Sequence, residues 1–149
     1  MYLLDTNVIS ELRKVSAGRA DANVATWAGA VETGALYVSV ISLQELEIGI
    51  QLAERRDPVQ GRVLRTWLVT RVVPAFEHRI LIVDAAVAIR SAALHVPNPQ
   101  PIRDSLIAAT ALVHGMTIVT RNTRDFIKSG AATLNPWEPA HKRAKNPKG

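Results

Sequence analysis

The sequence predicts an α/β sandwich on a mainly parallel sheet of four to five strands. Short apolar runs at 2–4, 36–40, 79–83 and 116–119 alternate with longer segments of helical period, the pattern of strands joined by crossover helices. At 149 residues, 48% hydrophobic and 21% charged, the chain has the size and composition of one globular domain with its own core. No internal repeat and no second domain is visible.

The first strand, Tyr2-Leu3-Leu4, runs into Asp5-Thr6-Asn7, and 8–13 read as a short helix. A loop rich in Ser, Gly and charge leads to a helix over 22–31, where Val24, Trp27 and Val31 share a face. Thr33-Gly34 ends it, and 36–40, aromatic and β-branched, form the second strand. Ser42 and Glu45 have the spacing of a capping box, which predicts a helix from Ser42 to about Arg56 with Leu43, Leu46, Ile50 and Ala53 as its apolar stripe. Asp57-Pro58 breaks it. Residues 59–73 make a second amphipathic helix through Val63, Leu64, Trp67 and Leu68, stopped by Pro74, so that the two form a hairpin. The third strand is 79–83, and Asp84 caps a helix over 85–95. Pro97, Pro99 and Pro101 stiffen the link to a helix over 102–114, which has Asp104 in its first turn and Gly115 as its stop. Ala108, Ala109 and Ala111 let that helix approach the sheet closely. The fourth strand, 116–119, leaves into Thr120-Arg121-Asn122-Thr123-Arg124-Asp125, and a brief fifth strand falls near Thr133-Leu134. The domain is read as 1–137, followed by a basic, disordered tail over 138–149.

The formal charge of +5 is concentrated at the end, where Lys142, Arg143, Lys145 and Lys148 supply four of the positive charges. Such a run is more commonly solvated than functional, although it can touch nucleic acid phosphates. Zero cysteines exclude thiolate nucleophiles and Cys-containing zinc sites, and the four histidines lack close ligand spacing. Asp84 and His114 interrupt the two longest apolar stretches before they reach membrane-spanning length. Asp5 falls where the apolar core of a leader would lie, so a soluble, cytoplasmic protein without membrane attachment is the expectation.

Four acids occupy comparable places in separate units: Asp5 after the first strand, Glu45 beyond the second, Asp104 at a helix start and Asp125 after the fourth strand. In a parallel sheet these places lie along one edge, where ligands gather. Each acid also has a plain structural reading: helix cap, capping box, helix-dipole partner and surface residue, respectively. Clustered carboxylates repel one another, and a hard divalent cation such as Mg²⁺ or Mn²⁺ reverses that cost. Such an ion in a carboxylate pocket points to hydrolysis at phosphorus by an activated water, with one ion or two. Thr6, Asn7, Thr120 and Asn122 would hold waters or phosphate oxygens around it.

The segments Leu3-Leu4-Asp5-Thr6-Asn7, Ser42-Leu43-Gln44-Glu45, 103–111 and 120–126 resemble, in order and separation, the motifs of PIN-domain ribonucleases. The nearest likeness is to bacterial VapC toxins of the FitB-like branch, and it spans 2 to about 137. The resemblance implies a PIN-like α/β/α sandwich and a Mg²⁺-dependent endoribonuclease. It also implies a toxin silenced by a VapB-like antitoxin, commonly as a homodimer. By it Asp5, Glu45 and Asp104 match the core acidic positions. Relatives often carry Asp where this chain has Asn122, so Asp125, three residues later, is expected to reach the metal only through water.

The hairpin stripe Leu43, Leu46 and Ile50, together with Trp67, is a candidate groove for the antitoxin, with ordinary core packing as the alternative. Arg13, Lys14, Arg19 and Arg103 are candidate phosphate contacts, and Trp137 a weaker one. Two other functions fit parts of the pattern. One is a non-catalytic PIN-like module that binds RNA or protein. The other is a phosphatase of the haloacid-dehalogenase type, which has Asp after its first strand but usually a further acid where this chain has Asn7.

Overall fold

The computed structural model describes residues 1–143. Five strands, β1 (Tyr2–Leu4), β2 (Leu36–Ser39), β3 (Ile80–Leu81), β4 (Thr117–Val119) and β5 (Thr133–Leu134), form one wholly parallel sheet in the order β3-β2-β1-β4-β5. The central strand β1 pairs with β2 on one side and β4 on the other, in the register Leu3 to Tyr37 and Leu3 to Ile118. The chain builds outward from β1 to β2 and β3, then returns to the far side for β4. The strand order therefore reverses at β1, and the crevice at its carboxyl end is the switch point where α/β sheets bind ligands.

Helices α1 (Thr6–Leu12), α2 (Ala22–Ala30), α3 (Val40–Arg56) and α4 (Pro58–Trp67) follow in order. A π-helical turn, Leu68–Val72, joins α4 to α5 (Val73–Ala75), and α6 (Ala85–Ala93), α7 (Ile102–His114) and α8 (Ala140–Arg143) complete the described chain. Successive residues of β1 serve opposite cores, as strand pleating requires. Leu4 packs with Val8, Ile9, Trp27, Leu46 and Ile50, whereas Leu3 packs with Ile107, Ala108 and Ala111 of α7. Both leucines are wholly buried. The predicted α/β/α sandwich is observed.

Several boundaries differ from the sequence reading. Helix α3 begins at Val40, capped by Ser39, whose hydroxyl accepts from the backbone of Ile41 at 3.0 Å. Ser42 is therefore not a cap but a buried residue inside the first turn, and the capping box is not formed. Pro74 does not stop the second hairpin helix. The wide π turn before it loosens the backbone spacing that a proline ring would otherwise violate, and the helical path continues to Ala75. Strand β3 is limited to two residues, because it pairs only with β2 and Asp84 already caps α6 through the Val87 amide at 2.9 Å. Glu47 and Glu54 of α3 grip Arg65 of α4 across the hairpin at 2.6 and 2.8 Å.

Leu46 and Ile50 are core residues, 7% and 3% exposed, so they are not available to line a groove. Leu43 and Trp67 are half-buried against the same core. The stripe of α3 faces the sheet because its apolar width matches what one sheet face can cover. The tail expected to be disordered contains the short helix α8, which accounts for Lys142 and Arg143, while Lys145 and Lys148 lie outside the described residues.

Candidate active site

Asp5 ends β1, and its backbone amide still continues the sheet by donating to the Val119 carbonyl at 2.9 Å. Its side chain is 9% exposed. One carboxylate oxygen, Oδ1, accepts from the Thr6 amide at 2.8 Å and so caps α1. The other, Oδ2, accepts from the Thr120 hydroxyl at 2.8 Å and from the Asn7 side-chain amide at 3.4 Å. The cap reading and the site reading of Asp5 are thus both true, on different oxygens. Burial raises the Asp5 pKa above its usual value, opposed by the Thr120 and Thr6 hydrogen bonds and reinforced by the nearby Asp125 charge.

Thr120 is wholly buried where β4 ends, and its hydroxyl also accepts from the Asn122 amide at 3.0 Å. Asn7 accepts from the Arg121 amide at 3.3 Å. Three of the four supporting residues named from the sequence, Asn7, Thr120 and Asn122, therefore tie the ends of β1 and β4 together. Thr6 turns the other way, donating from its hydroxyl to Glu45 at 3.1 Å. That bond across 39 residues carries α3 to the same crevice, and it gives Glu45 a partner other than the absent capping box.

Asp104 lies in the first turn of α7, half-buried, and Asp125 ends the 3₁₀ turn Thr123–Asp125, exposed. The two acids line a cavity of about 30 Å³ with Gln100, Ser105 and Lys128, room for a water or a small ion. The Asp104 pKa is pushed up to about 6, first by burial, then by the charges of Asp125, Asp5 and Glu45, with Arg103 opposing. Asp104 thus feels the charges of the three other predicted acids, and Asp5 that of Asp125. They do not converge to a finished cage: among the described residues no group of three or more His, Cys, Asp or Glu side chains forms a ready metal-binding set.

That donor set fits a hard cation that keeps much of its water. Mg²⁺ is typically held by one or two carboxylates and several waters, so a ring of acids with gaps between them suits it better than a close cage would. The acid–acid repulsion that adds to burial in raising Asp104 is a cost such an ion would remove.

The sequence reading passed over two local features, the bracing of α7 by His95 and the stacking of Arg121 on Trp137, and offered Lys128 only as a pocket lysine for the phosphatase alternative. His95 touches the Ser105 hydroxyl at 3.0 Å and accepts from the Gln100 amide at 3.1 Å, which braces the start of α7. Lys128 stands at the acidic cavity. The Arg121 guanidinium lies over the Trp137 ring, 5.1 Å from its centre. Neither the His95 brace nor the Arg121 stack has a short-range motif, because Ser105 and Trp137 lie in other segments of the chain. Of the cations proposed for phosphate, Arg13 is engaged on the Trp67 ring and Lys14 with Glu11.

This arrangement, a parallel sheet with acids gathered around the end of its central strand, defines the chain as a member of the PIN domain family, whose profile matches residues 2–131. Among its relatives is the VapC ribonuclease Y4jK of Sinorhizobium fredii, 37% identical over 94% of this chain and 100% of that one. The toxin FitB of Neisseria gonorrhoeae is 35% identical over 92% of this chain and 99% of its own. The crystal structure of FitAcB from the same bacterium superimposes with a TM-score of 0.83, at 33% identity over 93% of this chain and 99% of that one. A toxin-antitoxin complex from Klebsiella pneumoniae matches with a TM-score of 0.61, at 27% identity over 93% of this chain and 99% of that one.

Proposed function

We propose that the chain is the toxin of a toxin-antitoxin pair, an endoribonuclease that hydrolyses RNA phosphodiester bonds with a divalent cation, Mg²⁺ or Mn²⁺. The observation that carries this reading is the gathering of acids around the end of β1: Thr6 bonds both Asp5 and Glu45, and Asp104 lines one small cavity with Asp125. Four acids that repel one another around a ligand crevice need a cation to be worth keeping. The names of the VapC and FitB relatives, matched over nearly the full chain, support the substrate and the biological role.

Asp5, Asp104 and Glu45 are the residues that would hold the ion, with Asp125 reaching it through water. When bound, the ion supplies activation of the attacking water and charge neutralisation at phosphorus. The chain's own residues do the positioning. Thr120 and Thr6 fix the two Asp5 oxygens, and Thr6 orients Glu45 with its hydroxyl. Asn7 links Asp5 to the Arg121 backbone, which ties the floor of the site together. Asn7 also stands where a haloacid-dehalogenase phosphatase would usually place its second acid, so proton transfer by that route lacks its donor.

A VapB-like antitoxin is the protein partner by likeness to the toxin-antitoxin complex, and a homodimer, by family resemblance alone, is the assembly proposed for the toxin itself. Exposed Val63 and half-buried Trp67 belong to a groove beside Arg13 that remains available to a partner helix. No helix among the described residues is long and apolar enough to cross a membrane.

Cleavage of a cellular RNA pool by the antitoxin-free protein tests the function. Defined RNA bands should disappear in Mn²⁺ or Mg²⁺, and should persist in EDTA or with Asp5→Asn. Cleavage undiminished in EDTA would refute the metal role, and absence of cleavage despite confirmed metal binding would favour a binding module.

A further inference from the structure

We propose that Arg121, laid on the face of Trp137, is a subsite for single-stranded RNA beside the bond to be cut; this rests on the ribonuclease reading above. An acidic crevice repels the polyanion it must cleave, so binding strength has to come from cations at its rim. Arg121 directly follows Thr120, the residue whose hydroxyl holds Asp5. Its backbone is anchored to that floor, since its amide donates to Asn7 and its carbonyl accepts from Asn135 at 3.5 Å.

The guanidinium is exposed, and among the described residues it makes no ion pair within 4 Å; Glu11, whose carboxylate feels its charge, is already held by Lys14 and the Asp21 amide. What orders it is Trp137, which is itself fixed from two sides. The Trp137 amide donates to Asn135 Oδ1 at 2.9 Å, and its carbonyl accepts from Asn23 at 2.8 Å. A cation stacked on an indole keeps one planar face and all its outward N–H donors for a ligand, with little freedom left to lose on binding. A recess lined by Arg121, Asn122, Thr123, Arg124 and Asp125 runs from the stacked guanidinium to one of the site's acids. It offers two guanidiniums for phosphate, a flat face for a base and an exit toward the reacting position.

The test uses the full chain, freed of antitoxin and carrying Asp104→Asn so that RNA is bound without being cut. Binding of a fluorescein-labelled single-stranded RNA pool of mixed sequence is followed by anisotropy over a series of KCl concentrations. Adding Arg121→Ala should weaken binding about tenfold and reduce the slope of log affinity against log salt by about 0.7. Trp137→Leu should weaken binding a few-fold with the slope unchanged, because the charge stays and only its ordering is lost. Arg62→Ala, on exposed α4, should do neither. An Arg121→Ala variant that binds as its parent does overturns the subsite alone. The same result with antitoxin binding weakened overturns it in favour of a protein-facing rim. A parent that binds no RNA overturns the subsite and the ribonuclease reading together.

Discussion

Thr120 has no solvent exposure, yet its hydroxyl serves two roles: it donates to Asp5 and accepts from the Asn122 amide. A valine of nearly the same shape would leave Asp5 Oδ2 with only the long Asn7 contact and the Asn122 amide without an acceptor. Groups that orient a metal-holding carboxylate typically matter about 10–100-fold, so Thr120→Val should cut RNA cleavage by that amount. It should do so while the protein still folds, as a circular dichroism melt would show. Unchanged cleavage would mean that Asp5 needs no such support. Asp5 was legible in the sequence as an acid at a strand end. Its partner, 115 residues away, was named only as one of several polar candidates, because a hydrogen bond between two strand ends leaves no local spacing.

At the scale of elements, the α3–α4 hairpin is fixed by a close crossing and one shared cation. Gly61 is buried against α3, and a methyl group there would lie 2.5 Å from the Glu54 Cα, a backbone atom that cannot swing aside. Gly61→Ala should therefore destabilise the fold by roughly 1–3 kcal/mol, the usual cost of overpacking, seen as a lowered midpoint in urea. The effect would also loosen the Arg65 bridge to Glu47 and Glu54 that spans the same crossing. The existence of both helices was readable from their period, and Asp57-Pro58 from its turn chemistry. The start of α3 was not. Ser39 and Ser42 are equivalent caps by composition, and the sheet decided between them by pairing Ser39 with Leu81 and burying Ser42.

Over the whole molecule, the sheet order places the acids and their charges set the dependence on conditions. Alternation of strands and helices disclosed the layers, while the structure joins Asp5 to Glu45 through Thr6 and sets Asp104 beside Asp125 at one small cavity. The degree of convergence was not readable, since a few ångströms between carboxylates depends on side-chain packing. Asp104 carries the clearest consequence. Its folded pKa of about 6 lies above the ordinary value of 3.8, so the native state holds the proton more tightly than the unfolded chain does. The penalty is fully present above pH 6 and disappears as pH falls toward 3.8. Glu11 and Glu47 are shifted the opposite way, held down first by the Asp21 amide and by Arg65, respectively, and both stay ionised at pH 5.

Thermal melting of the wild type and Asp104→Asn, at pH 7.5 and pH 5, with EDTA or Mg²⁺, tests the central claim that the acids form one cation site. In EDTA, Asp104→Asn should gain more stability over the wild type at pH 7.5 than at pH 5. Mg²⁺ should raise the midpoint of the wild type at pH 7.5, much less at pH 5, and little in Asp104→Asn. An equal Mg²⁺ effect on both proteins, or none on either, would contradict a shared metal site around Asp104.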